Sequence, residues 1–208
     1  GLPHPESAGL RLARVGAAVL ALALGGALTP PLALAHEYWL VPSAYRAAAG
    51  DTLAIAAFVG TGFRGEKKPY APTRAVRFTV HGAKVRDLRP VGVNGDLTWA
   101  RFITDDGGGS MVAYESGFVP IELEAPEFDA YLALEGLDAP LQARKRLGAK
   151  EGKGRERYAR CPKTWIAGTA AADAKRVLVP VGLPIEVVPL DDPATARPLR
   201  VRVLFQGK

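Results

Sequence analysis

The run Ala33-Leu34-Ala35-His36 divides this chain into a part expected to be discarded and a part that has to fold. Arg11 and Arg14 precede an almost purely small and aliphatic stretch from Val15 to Leu28. Pro30 and Pro31 then break any helix before the small-x-small triplet. This is the pattern of a secretory signal peptide, with its helix inside residues 1–35 and cleavage after Ala35. A membrane-spanning helix needs about 20 apolar residues; the stretch here is shorter and carries Gly25 and Gly26. No stable membrane span is therefore expected once the leader is cut. The predicted folding unit is residues 36–208, working in the periplasm or secreted.

That unit contains one cysteine, Cys161. A lone cysteine in an exported protein cannot close an internal disulfide, so stability has to come from core burial. The 173 residues from His36 onward are enough for one large domain or two small ones. Cys161 itself is expected to be a small, half-buried apolar residue. Cutting off the leader removes two Arg and one Glu and takes the net charge from +6 to +5. A basic balance suits acidic polymers or membrane surfaces, but the charge here is unevenly placed. No nucleic-acid partner is expected.

Residues 36–125 read as all-β. Thr52–Val59 is an apolar run bounded by Gly50-Asp51 and Gly60. Ala75–Val80 places Val76, Phe78 and Val80 on one face, the two-residue period of a half-buried strand. Leu97–Ile103, Met111–Glu115 and Phe118–Leu123 are further strands, with a flexible turn at Asp105–Gly109. From Pro126, helical spacing takes over through Phe128, Tyr131, Leu132 and Leu134, with a stop near Gly136. A second short helix is predicted over Pro140–Leu147, and Gly148–Arg155 is expected to be mobile. Strand character returns at Thr164–Ala167, Arg176–Val179, Ile185–Val188 and Leu199–Phe205. In that last run Val201, Val203 and Phe205 point one way, and Arg200, Arg202 and Leu204 the other. Gln206-Gly207-Lys208 looks like the start of a turn, so at least one more strand is expected to follow. The predicted fold is mainly β: an immunoglobulin-like β-sandwich with a short helical insertion at about 126–148.

Four blocks resemble a known family: His36-Glu37-Tyr38-Trp39-Leu40-Val41-Pro42; Gly60-Thr61-Gly62-Phe63; Phe128-Asp129-Ala130-Tyr131-Leu132 with Glu135-Gly136-Leu137; and Glu156-Arg157-Tyr158-Ala159-Arg160 with Lys163. In this order they resemble an exported family of unknown function whose members are called NikM-like, or a periplasmic component of cobalt/nickel transport. The family has a second acidic residue just before the Glu135 position, where this chain has Leu134, and its members usually continue past residue 208. The resemblance implies an exported, β-rich protein with a helical insertion and, through the family's label, metal handling with an envelope transport component or another envelope protein as partner.

Among single residues His36 offers the sharpest chemistry. After cleavage its imidazole and its free α-amine would form a bidentate nitrogen ligand for Cu, Ni or Co. A fuller nitrogen site needs another His, and only His81 remains, on or just after a strand. The alternative is that His36 simply begins the first strand. In an extended segment Glu156, Tyr158 and Arg160 project from one face. With Lys163 they are read as a structural clamp between the insertion and the sandwich, or as a ligand site, since Arg suits bidentate carboxylate contacts.

Charge is segregated in the same region. Residues 115–138 hold seven acids and no base, and residues 144–163 hold nine bases and two acids. Pairing between the two segments, or two solvated faces, is the expectation; the sharper alternatives are a cation site and an anion site. Catalytic material is thin. No nucleophile elbow is present, Gly60–Gly65 lacks the lysine of a phosphate loop, and Gly107-Gly108-Gly109 reads as a turn. Trp39, Trp99 and Trp165 are expected in the core or in strands rather than as a sugar platform. The reading is a non-enzymatic binding or accessory protein of the cell envelope, for Ni, Co or Cu. The alternative is an envelope interaction module that takes a protein or carbohydrate partner without metal.

Overall fold

Short alternating segments, each closed by glycine or proline, become the strands of a two-sheet sandwich. The computed structural model describes residues 37–148, 152–169 and 174–208. The leader and His36 lie outside the described residues. In chain order the strands are β1 (Glu37–Pro42), β2 (Thr52–Thr61), β3 (Arg64–Lys68), β4 (Ala75–His81), β5 (Val85–Asp87), β6 (Ala100–Ile103), β7 (Ser110–Ser116), β8 (Val119–Leu123), β9 (Gly154–Tyr158), β10 (Lys163–Ile166), β11 (Ile185–Pro189) and β12 (Val201–Phe205). The helices are α1 (Ala125–Leu134), α2 (Asp138–Arg146) and the single turn α3 (Ala174–Val177).

In the first sheet β1 pairs along one edge of β2, from Glu37 opposite Gly60 to Pro42 opposite Ile55. The other edge of β2 takes two strands end to end. β3 pairs with Ala57–Thr61 and β6 with Thr52–Ile55. The second sheet runs β10-β7-β4-β5, antiparallel throughout. Between the sheets lie Leu40, Leu53, Ile55, Ala57 and Phe102 from the first and Phe78, Val80, Val112, Tyr114 and Ile166 from the second. Trp99 sits among them, 4.9 Å from the Tyr114 ring, 5.3 Å from Tyr70 and 5.9 Å from Phe78. Its indole N–H donates to the Lys68 carbonyl at 2.7 Å, which satisfies the one polar atom it takes into the core. Truncating such a ring costs about 3–5 kcal/mol.

The helical insertion is a unit of its own. β8 and β9 form a two-stranded ribbon, and α1 and α2 leave and return between them. Phe128, Leu132 and Leu141 make a small second core, flanked by Leu123 and Tyr131. Pro126 falls in the first turn of α1, where its missing N–H costs little. Gly136 and Gly148, with φ of 67° and 65°, follow α1 and α2 in the left-handed conformation that ends a helix. Gly154 is packed directly under Phe128: a Cβ there would lie 1.9 Å from the ring's Cγ.

A third element covers the outer face of the second sheet. The β11–β12 ribbon turns Glu186, Val188 and Leu204 inward, and α3 contacts β7 through the buried Val177. The mainly β sandwich with a helical insertion is thus the fold expected from the pattern, but several local readings need correction. Arg176–Val179 is not a strand. Arg176 and Val177 close α3, and the amides of Leu178 and Val179 bond back to Lys175 and Arg176. An alanine-rich approach favours a helical turn here. Val76 does not share the buried face of Phe78 and Val80. A bulge between Ala75 and Arg77 turns it outward, and it is 52 % exposed. Gly154 and Arg155, expected in a mobile loop, open β9 instead, because β8 supplies their ladder partners.

Candidate functional site

Alternation along β1 and β2 sends Tyr38, Leu40 and Ala57 into the sandwich and leaves Trp39 and Phe58 on the outer face. Trp39 pairs with Phe58, and Phe58 with Lys67 of β3, so the three form one row across the sheet. The Trp39 and Phe58 rings are offset-stacked, 5.9 Å apart at 16°. Phe63 meets Trp39 edge-on at 5.7 Å and is 78 % exposed.

Phe63 sits at the tip of the β2–β3 hairpin. Gly62 and Phe63 are its two central residues, with φ of 59° and 58°. Two-residue hairpin turns of this kind require positive φ at both positions and favour Asn or Gly. Phe adopts that conformation only at a cost in strain. What holds it is Glu37 at the start of β1. One carboxylate oxygen accepts the Gly62 amide at 3.1 Å and the other the Phe63 amide at 3.1 Å. Beside this clamp Gly60 and Gly65 face each other so closely that a Cβ on either would lie 2.0 Å from opposing backbone. The surface there is bare main chain.

The same face continues along β2 through Ala56 and Ala54 to Arg101 and Ile103 of β6. Its strand positions carry two cations, Lys67 and Arg101, and one acid, Glu37, whose oxygens are taken by amides.

The residues singled out in the sequence fall in three places. Glu156 and Tyr158 lie on β9 of the insertion, and Arg160 follows them and reaches β1 and β7 of the sandwich. The Arg160 guanidinium lies 4.8 Å over the Tyr158 ring and 6.0 Å over the Tyr38 ring. Burial, then a hydrogen bond to Glu156, pushes the Tyr131 phenol of α1 up to about 12. Burial likewise raises Tyr38, with Tyr114 adding to it, and pushes Tyr114 up to about 12. Lys163 lies apart from the other three. It bonds Glu186 at 2.6 Å beneath the β11–β12 ribbon, with the Glu186 side chain 1 % exposed. Glu186 also accepts the amides of Val181, Gly182 and Leu183 at 2.8, 2.9 and 3.2 Å. Burial alone would raise its pKa; Lys163 and these amides overcome that and hold it below its ordinary value.

Lys163 and Glu186 close one wall of an apolar groove of about 480 Å³, which Met111, Cys161 and Trp165 also line. Burial raises the Cys161 thiol, which disfavours its thiolate. His81 stands on β4 opposite Met111, its Nε2 2.9 Å from the Thr79 hydroxyl. Burial and the nearby Arg77 lower its pKa. Its expected metal partner, His36, lies outside the described residues. Among the described residues no three or more His, Cys, Asp or Glu side chains are grouped to hold a metal ion.

The acidic and basic segments pair within the insertion. Asp129 binds Arg144 at 2.7 Å, Glu122 binds Arg155 at 2.8 Å, and Lys153 reaches both Glu122 and Glu124. Sequence reasoning did not find Phe58, Phe63, Lys67, Glu37 or Glu186 as site residues. One signal was present: the block Gly60–Phe63 and the block starting at His36 are the two that meet here.

Residues 33–208 match a family described as a domain of unknown function, DUF4198, so the chain belongs to that family. No curated protein and no solved structure matches the chain.

Proposed function

We propose that this DUF4198 protein is an exported, non-enzymatic binding module that recognises a cell-envelope component through the outer face of its first sheet, around Trp39, Phe58 and Phe63. The observation that carries the reading is Phe63. A tip that only had to turn would hold Asn or Gly without strain. Here an aromatic residue is forced into the left-handed region, fixed by Glu37 and left 78 % exposed against Trp39. Strain of that sort collects where a side chain must be presented, and rings on rigid strands are the usual anchors of recognition. The surface offers rings, two cations and bare backbone; its single carboxylate is already hydrogen-bonded to two amides.

This reading favours an interaction module over transition-metal handling. Nickel, cobalt or copper capture rests on the nitrogen donors of His36, and the NikM-like label on the sequence resemblance alone. The test is retention of the processed protein on an isolated envelope fraction. Trp39→Ala and Phe63→Gly should both lose it, and Phe63→Gly should do so while melting at or slightly above the parent temperature. Undiminished retention by both variants would refute the proposal.

A further inference from the structure

We infer that the occupant of this face is a linear anionic polysaccharide lying along β2; the inference rests on the binding-module reading above. The face is a track rather than a point. Its cross-strand row, the rings of Trp39 and Phe58 and the ammonium of Lys67, crosses β2 at Phe58, and its second cation, Arg101, pairs with Ala54 four residues away. At the strand rise that is about 14 Å. Between them β2 presents only Ala56 on this face, flanked by the half-buried Val41 of β1, so the floor is low and apolar.

Because β3 and β6 lie end to end on the same edge of β2, Lys67 and Arg101 stand in line on one side of the track. A ligand that matches them is extended and repeats its negative charge along one side. The apolar C–H face of a sugar ring packs on Trp39 and Phe63, and the Lys67 stem extends that apolar surface while its ammonium stays wet. Hydroxyls directed at the bare Gly60–Gly65 main chain meet no side chain. The rings and the charge together select a carboxylated or sulfated glycan over a neutral one. Trp39 is therefore a strand residue, as the sequence suggested, yet one that faces outward as a platform.

The experiment uses the chain from residue 36 with four probes: polygalacturonate, the same backbone with its carboxylates methyl-esterified, heparin, and polyglutamate. Polygalacturonate should bind, at least tenfold more tightly than the esterified form, and more weakly as salt rises. The double variant K67E/R101E should lose that preference, and Trp39→Ala should lose both polygalacturonate forms. Equal binding of esterified and free forms overturns the anionic assignment. Binding of polyglutamate but not polygalacturonate overturns the glycan and assigns an acidic peptide. Failure of polygalacturonate and of heparin, with envelope retention still lost in Phe63→Gly, overturns the glycan while the binding surface stands. Retention unchanged in Phe63→Gly removes the surface itself.

Discussion

Glu37 fixes Phe63 from across the hairpin: the carboxylate on the first strand accepts the amides of both residues that make the β2–β3 turn, each at 3.1 Å. Two amides that would otherwise point to water are thereby tied to the neighbouring strand, and the ring beyond them is set against Trp39. Hydrogen bonds to a charged acceptor are stronger than neutral ones, and this pair is open to solvent, which reduces their net worth. Glu37→Gln should cost about 1 kcal/mol of stability and loosen the tip. Hydrogen exchange at Gly62 and Phe63 should speed up while the Trp99 core stays protected. Unchanged exchange at the tip would contradict the clamp.

The Lys163–Glu186 pair gives a stability effect with a defined sign in pH. Glu186 is held below its ordinary pKa in the fold. Its contribution is therefore complete above the unfolded value of about 4.3 and is lost as pH falls through the lower folded value. Melting temperature should drop below about pH 4 in the parent and be flatter in Glu186→Gln. Lys163→Ala at neutral pH leaves a buried carboxylate with only its amides and should cost about 3 kcal/mol.

Gly154→Ala tests the insertion alone. The added methyl would meet the Phe128 ring near its root, where the side chain has no room to swing. Overpacking of this kind costs about 1–3 kcal/mol. Amides of α1 and α2 should lose protection first, because Phe128, Leu132 and Leu141 form a core separate from the sandwich. Uniform destabilisation of both cores would contradict that separation.

Metal binding, where it occurs, should depend on His36 and not on His81. The imidazole of His81 is held by Thr79, and the burial and nearby Arg77 charge that lower its pKa equally disfavour a metal cation beside it. Copper(II) titration of protein beginning at His36 should be unaltered by His81→Ala and lost when the α-amine is acetylated. A copper stoichiometry that falls in His81→Ala would restore the two-histidine site.

How much of this could be read from the chain depended on how local the cause was. β2, β4, β7, β11 and β12 announce themselves by period and by bounding glycines, and the insertion by Pro126 and Gly136. β3 (Arg-Gly-Glu-Lys-Lys) has no apolar alternation and exists only because β2 offers it a ladder. Val177 looked like a strand residue because its apolar neighbours suggested one, whereas its burial comes from β7 below it. Tyr158 and Arg160 were grouped by their spacing, and Tyr38 joins them only through the fold. Lys163 belongs to the same resemblance block as these residues, but its partner Glu186 arrives from 23 residues on. The site at Phe63 needed three facts that no window of sequence contains together: a left-handed aromatic, a carboxylate from another strand and an outward-facing Trp.

Phe63→Gly is the variant that separates presentation of the ring from maintenance of the fold. Glycine adopts positive φ without strain, so the variant should melt at or slightly above the parent temperature, with a gain of up to about 1 kcal/mol. Retention on the envelope fraction should nevertheless be lost. A variant that melts normally and is retained like the parent would contradict the central claim that this strained hairpin exists to display an aromatic ring for recognition.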